Sequence, residues 1–300
     1  MNRIYLYIVA SLVWLSSCVS LKTVNTFSKS TIGSLKQHKT LPVTFTGIYQ
    51  ERVQDDSLAL HPFNQIPLIG IDFAARIRHD SLRAYQLADS LTNAGSLLLI
   101  NYFQALDALS NTSSSFVPVR LQSKSFDSFL QGSAVKLTTA ETAAFNRVAN
   151  LVGSLATGTY RRKKLKNILE QSHQDVQQMI AVLAFAYERL ADVVDISREQ
   201  QYGHYKNILI QDRSLTYSQK RDLARQWLQT AKTIEQQRLS VLTHIKTLKT
   251  VRSGYDELYQ NRTTWNSKAS LAGIGAYIST LEQLRGDLEQ LTPVYGRLHP

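Results

Sequence analysis

From residue 72 onward the apolar residues recur at steps of three, four and seven, the spacing that stacks side chains along one face of an α-helix. Ala84, Ala88, Leu91, Leu98, Tyr102 and Leu109 predict a helix over 72–110. Residues 97–109 are apolar on more than one face, which predicts a central position. Thr138-x-x-Glu141 is a capping box, in which hydroxyl and carboxylate each satisfy a free backbone N–H, and it opens a predicted helix over 140–157. A long helix is predicted from Tyr160, with Leu165, Leu169, Val176, Leu183, Leu190 and Val194 in its stripe, ending near Gln200 before Gly203. After a short segment, 204–211, Thr216-x-x-Gln219 is a second capping box. The helix behind it carries Leu223, Trp227, Ile234, Val241, Leu248 and Tyr255. A last helix over 267–291 carries Leu271, Ile274, Ile278, Leu281 and Leu288, and Pro293 stops it.

Elsewhere the pattern weakens. Residues 19–40 are rich in Ser, Thr and Lys and are broken by Gly33, which predicts a flexible tether with a short helix near Ser28 to Gln37. Between Pro42 and Pro62 one helical piece fits, Gly47 to Leu60, and Pro62 to Pro67 reads as an extended loop. Residues 111–137 are irregular: a Ser/Thr/Asn loop signal, a partly alternating stretch at Phe116 to Leu121, then Phe126, Phe129 and Leu130. That segment is either a lid carrying functional contacts or a structural cover over the bundle end. No proline occurs from Val119 to Thr292, which suits long helices. Short connections between long helices force antiparallel neighbours. The expected fold is all-α: an elongated antiparallel bundle of four to five long helices with an irregular segment near 111–137.

The start of the chain has a different character. Arg3 precedes an apolar run, Ile4 to Leu15, interrupted only by Ser11. At about 12 residues it falls short of the roughly 20 needed to span a bilayer and fits a signal-peptide core. It ends in Leu15-Ser16-Ser17-Cys18. This resembles the lipobox of bacterial lipoproteins. The resemblance implies thioether lipidation of Cys18, cleavage before it and acylation of the new amino terminus. It covers only the first part of the chain. Cys18 is the single cysteine, so no intramolecular disulfide can form. No Asp follows Cys18; by similarity to enteric lipoproteins this implies an outer-membrane location facing the periplasm. The expected organisation is a signal peptide over 1–17, a lipidated tether over 18–45 and a helical bundle over 46–300.

Composition adds a charge argument. Hydrophobic residues make up 43% and charged residues 19% of the 300 residues, as in ordinary globular proteins, but the formal net charge is +11. In an envelope protein that surplus points to anionic lipid or polymers rather than nucleic acid. The competing explanation is basic side chains that only solvate helix faces. The densest basic run, Arg161, Arg162, Lys163 and Lys164 with Lys166, is a candidate contact for an anionic surface. Glu188, Asp192, Asp195 and Glu199 fall at steps of four, three and four, an acidic stripe suited to a cation, a basic partner or neighbouring arginines.

Catalytic and metal signals are sparse. Glu170-x-x-His173 has the spacing used in di-iron bundles, but it stands without the second copy and the extra carboxylates such a site needs. Gly273-Ile274-Gly275 lacks the third glycine and the preceding strand of a dinucleotide fingerprint. The 7 histidines are scattered. The expectation is a protein without catalytic residues, metal or cofactor. It would be a cell-envelope lipoprotein held to the membrane through Cys18, acting as a helical scaffold or adaptor for an envelope protein. The alternatives are a module binding an apolar or anionic small molecule, and a membrane-active bundle whose inserting segment would be Val148 to Thr159. The oligomeric state is left open.

Overall fold

The computed structural model of the chain describes residues 21–51, 69–110, 137–154, 161–265 and 267–291. The signal segment with Cys18, the Pro62 to Pro67 loop, the irregular segment as far as residue 136, and residues 155–160 lie outside the described residues. What is described is an all-α bundle. Helix α1 covers residues 21–35 and passes into a 3₁₀ turn, Lys36–Thr40; α2 covers residues 45–51. The long elements are α3 (Ile69–Ser110), α4 (Thr139–Ser154), α5 (Arg161–Gln211), α6 (Tyr217–Gln260) and α7 (Lys268–Leu291).

Both capping boxes form. The Thr138 N–H donates to Glu141 Oε2 at 2.7 Å, and the Glu141 N–H donates to Thr138 Oγ1 at 3.3 Å. At α6 the Thr216 N–H donates to Gln219 Oε1 at 2.8 Å and the Gln219 N–H returns to Thr216 Oγ1 at 3.4 Å. Helix α2 is capped from its own chain by Thr44 and from outside by α3: the Asp89 carboxylate accepts the Phe45 and Thr46 N–H groups at 2.8 and 2.9 Å.

Two expectations are corrected. Residues 21–40 are not a tether: α1 is packed into the bundle, with Val24, Phe27 and Leu35 fully buried. The reason is visible in its register. Val24, Phe27, Ser28, Thr31, Ser34 and Leu35 share one helix face, and the hydroxyl residues on it are buried at 0–1% exposure. The second correction is at Gly203. Helix α5 continues through it to Gln211, so 204–211 is helix rather than a connection. A mid-helix glycine costs only about 1 kcal/mol. Tyr202 and Tyr205 offset that by packing on Trp227 of α6, with ring centroids 5.6 and 5.4 Å apart.

Cross-helix contacts fix the topology. Leu183 of α5 packs at Gly95 of α3, and Ser172 meets Tyr102, so α3 and α5 run antiparallel. Helices α5 and α6 pair antiparallel along most of their length, from His173–Asp256 through Glu188–Lys249 and Asp195–Arg238 to Arg198–Glu235. Helix α7 returns along α6, with Gly254 beside Tyr277 and Gly273 beside Glu257. Helix α1 runs parallel to α7: Ser30, Ser34 and Gln37 donate to Ile278, Leu281 and Glu289 in turn. Within the core Phe27, Tyr102, Phe103 and Tyr255 meet edge to face. There the Tyr102 hydroxyl lies 2.7 Å from both Ser172 Oγ and the Tyr255 hydroxyl.

Candidate functional site

Two regions of the bundle carry exposed chemistry: the distal half of the α5–α6 hairpin and a cavity beside α1. On α5 the last buried residue before the turn is Ser197, and on α6 burial resumes only at Ile234. Between them Tyr202, Ile210, Tyr217 and Leu228 are exposed by 50, 66, 84 and 60%. Arg198, Lys206, Arg213, Lys220, Arg221, Arg225 and Lys232 stand in this stretch against Glu199, Asp212 and Asp222. Lys220 donates to the Leu209 carbonyl at 3.0 Å and ties the two helices together near the turn. The hairpin end is therefore a basic surface set with large apolar side chains.

Its position follows from the helix register. Phe27, near the start of α1, lies against Gly254 of α6. From Gly254 to Tyr217 the helix climbs 1.5 Å per residue, about 55 Å in all. The α1 end of the bundle and the hairpin turn are thus at opposite ends. Helix α5 opens at Arg161, so Arg161, Arg162, Lys163 and Lys164 form its first turn at the α1 end. Lys166 is 43% exposed and lies 4.0 Å from Glu170.

The acidic stripe is engaged by arginine and lysine. Glu188 meets Lys249 at 2.7 Å, Asp192 meets Arg189 at 2.9 Å, and Asp195 accepts from Arg238 at 2.9 Å. Arg198 and Glu235 continue this row of pairs across the α5–α6 seam. Glu199 is exposed. Partly exposed pairs of this kind are worth at most about 1 kcal/mol each. Their sum sets the register of two helices rather than a cation site.

Glu170 and His173 turn to separate partners. Glu170 accepts from Arg262 at 3.0 Å, while His173 Nε2 donates to Asp256 at 2.9 Å and its ring stacks on Tyr259 with centroids 3.8 Å apart. Among the described residues no group of His, Cys, Asp and Glu is arranged to hold a metal. No described helix is long and apolar enough to cross a membrane.

The cavity, of about 570 Å³, lies between the 3₁₀ turn, α3 and α5. Leu41, Val43 and Leu190 are among its apolar lining residues, and His38, Asn93 and Tyr187 among those that carry polar atoms. His38 Nδ1 donates to the Leu35 carbonyl at 2.9 Å and Nε2 faces the Asn93 amide at 3.3 Å. Burial holds its pKa below the ordinary histidine range despite those bonds. Behind Tyr187 sits His244, fully buried, its ring edge-on to Tyr187 at 4.6 Å. Neither His244 nitrogen has a hydrogen-bond partner among the described residues, and burial pushes its pKa down to about 3. Neither the cavity nor the hairpin surface was picked out by sequence reasoning. Tyr217 and Leu228 differ from the core leucines of α6 in no local feature.

Comparison with protein-family models, with curated proteins and with solved structures gave no match. The class is defined by architecture alone: an all-α bundle built around a long antiparallel hairpin with a basic, partly apolar end.

Proposed function

We propose that the chain is a non-enzymatic cell-envelope lipoprotein that stands on a membrane through Cys18 and presents the α5–α6 hairpin away from it as a scaffold. One observation carries this reading: the first described residue of α1, residue 21, stands three positions after Cys18 in the sequence, and this part of α1 lies at the end of the bundle opposite the hairpin turn. With only three positions from Cys18 to the first described residue of α1, an anchor at Cys18 brings the α1 end against the bilayer. The first turn of α5, Arg161 to Lys164, shares that end, where cationic residues gain from anionic headgroups at about 1 kcal/mol each. Several acyl chains make such an anchor stable.

The test is positional. Fluorophores are attached at Ser214→Cys, in the hairpin turn, and at Lys268→Cys, at the start of α7, in the lipidated protein reconstituted into vesicles with headgroup-labelled acceptor lipid. Strong energy transfer from position 268 and little from 214 is the expected result. Equal transfer from both means that the bundle lies flat, and the scaffold reading fails. Intact mass of the detergent-extracted protein reads the anchor itself: a chain beginning at an acylated Cys18 is expected, and a Cys18→Ser variant is expected to leave the membrane fraction.

The cavity favours a second reading, a binding module for an apolar or anionic small molecule, because Lys39 stands among its lining residues beside the apolar side chains. Mass spectrometry of an organic extract of the purified protein decides it. A stoichiometric small molecule lost on Val43→Trp supports the module, and an empty extract refutes it.

A further inference from the structure

The outward side of the α5–α6 pair carries a second apolar line that the bundle does not cover. The ion pairs Asp195–Arg238 and Arg198–Glu235 and the contact of Tyr202 and Tyr205 with Trp227 mark the seam along which the two helices face each other. One residue further along an α-helix is a rotation of 100°. Because the helices run antiparallel, that rotation carries the following residue on each helix to the same broad side. Ile196 and Ile210 on α5, and Leu228 and Leu239 on α6, occupy these positions and are exposed by 47, 66, 60 and 41%. Tyr217 and Leu242 continue the line on α6, exposed by 84 and 37%. The opposite broad side is the one the bundle uses: Leu190, Val194, Val241 and His244 are buried there.

Spacing and charge define what fits. Tyr217, Leu228 and Leu239 recur every eleven residues, three helical turns, so they form an almost straight line along α6. The groove between this line and Ile196 and Ile210 has the shape that receives a third helix. Lys206, Arg221 and Lys232 flank it, all exposed and none with an acidic partner among the described residues; on the same face of α5 they stand against an exposed acid, Glu199. We propose that this face is the docking site of an acidic amphipathic helix of about 25 residues from a partner protein. Its apolar stripe would seat on Leu228 and Leu239, and its carboxylates would meet Lys206, Arg221 and Lys232. The inference rests on the scaffold reading and names the scaffold's partner by its chemistry.

Charge complementarity selects this occupant over the others. A second copy would bring the same cations together, with Lys232 near the middle of the face, where like charges repel. A bilayer surface asks for a broad apolar face, whereas α6 offers a single narrow line, Tyr217, Leu228, Leu239 and Leu242, with Arg221 and Lys232 set into it. A docked amphipathic helix needs only a few apolar anchors at helical spacing, and the cations beside them pair with its carboxylates.

The test is residue-resolved photocrosslinking in cells that make the full chain. A photoreactive amino acid is placed at Leu228, at Leu239 and, as a control, at exposed Gln226 on the opposite side of α6. Adducts from 228 and 239 but not 226 are expected. They should map to one segment of another protein that is net acidic and has apolar residues at helical spacing. The double change Arg221→Glu with Lys232→Glu is expected to lower adduct yield at least tenfold while the circular-dichroism melting midpoint stays put; Lys232→Glu alone serves if the double variant melts early. Adducts within the same protein, adducts to lipid, equal yield from 226 or no adduct at all each overturn the proposal. Acyl labelling of Cys18 in the same cells reports on the anchor separately, so a failed docking face and a failed anchor give different results.

Discussion

His244 is a fully buried imidazole, held neutral by its burial. Its pKa falls from an ordinary 6.5 to about 3 because burial penalises the charged form, with His38 nearby adding to the effect. The unfolded chain takes up the proton more readily than the folded one. Stability from this group is therefore complete above pH 6.5, declines as the pH falls from 6.5 toward 3, and levels off below that. The slope in that window is about 1.4 kcal/mol per pH unit. His38, lowered by burial, acts in the same sense. Urea unfolding at pH 7.5 and pH 5 should differ by about 2 kcal/mol in the wild type and by clearly less in His244→Leu. An unchanged difference in the variant would remove His244 from the account. Two glycines give opposite expectations at the same scale. A Cβ at Gly254 would stand 2.6 Å from Phe27 Cε2, inside the buried aromatic cluster, whereas at Gly203 it would meet nothing within 4 Å. Gly254→Ala should cost about 1–3 kcal/mol through overpacking, and Gly203→Ala should add about 0.5–1 kcal/mol through helix propensity. Thermal unfolding of the two variants checks both signs.

At the scale of elements, what holds a helix end differs from one helix to the next. Helix α6 is capped locally, so Thr216→Ala should cost about 1 kcal/mol and fray only its first turn. Helix α2 depends on a carboxylate carried by α3. Asp89→Ala should cost a similar ~1–2 kcal/mol, and hydrogen exchange should speed up at the Phe45 and Thr46 amides. Unchanged protection there would show that Thr44 suffices as the cap. The same contrast explains which elements were legible. Both capping boxes are short patterns in contiguous residues. The α1 face was missed because half of it is Ser28, Thr31 and Ser34, which a hydropathy count scores as polar. Those hydroxyls are small enough to let α1 sit close to its neighbours, and the Ser34 hydroxyl donates to the Leu281 carbonyl at 3.0 Å. The end of α5 was misplaced because a glycine weighs against a helix locally, whereas the Tyr202, Tyr205 and Trp227 contact that outweighs it joins residues some twenty positions apart.

For the whole molecule, α5 sets the long dimension. Its 51 residues make a rod of about 76 Å, so small-angle scattering of the folded protein should give a maximum dimension of at least ~75 Å. A markedly smaller value would mean that the hairpin folds back on the bundle. About 55 Å of that length separates the level of Phe27 in α1 from the hairpin turn, and it holds the proposed docking face well away from the α1 end.

By itself the sequence determined the all-α class, the starts of α4 and α6, the antiparallel order of the long helices and the surplus of basic residues. All of these follow from periodicity, capping chemistry and charge, which act over a few residues or sum over the chain. Only the tertiary structure decided that α1 belongs to the bundle, that the acidic stripe of α5 pairs with α6 and its own arginines, and that His244 is buried with no hydrogen-bond partner among the described residues. It also decided which apolar line of α6 is covered. Val241 and Leu248 are sealed inside while Leu228 and Leu239 face outward. Helical spacing puts a leucine on a face, but only the elements brought against that face determine whether water is removed from it.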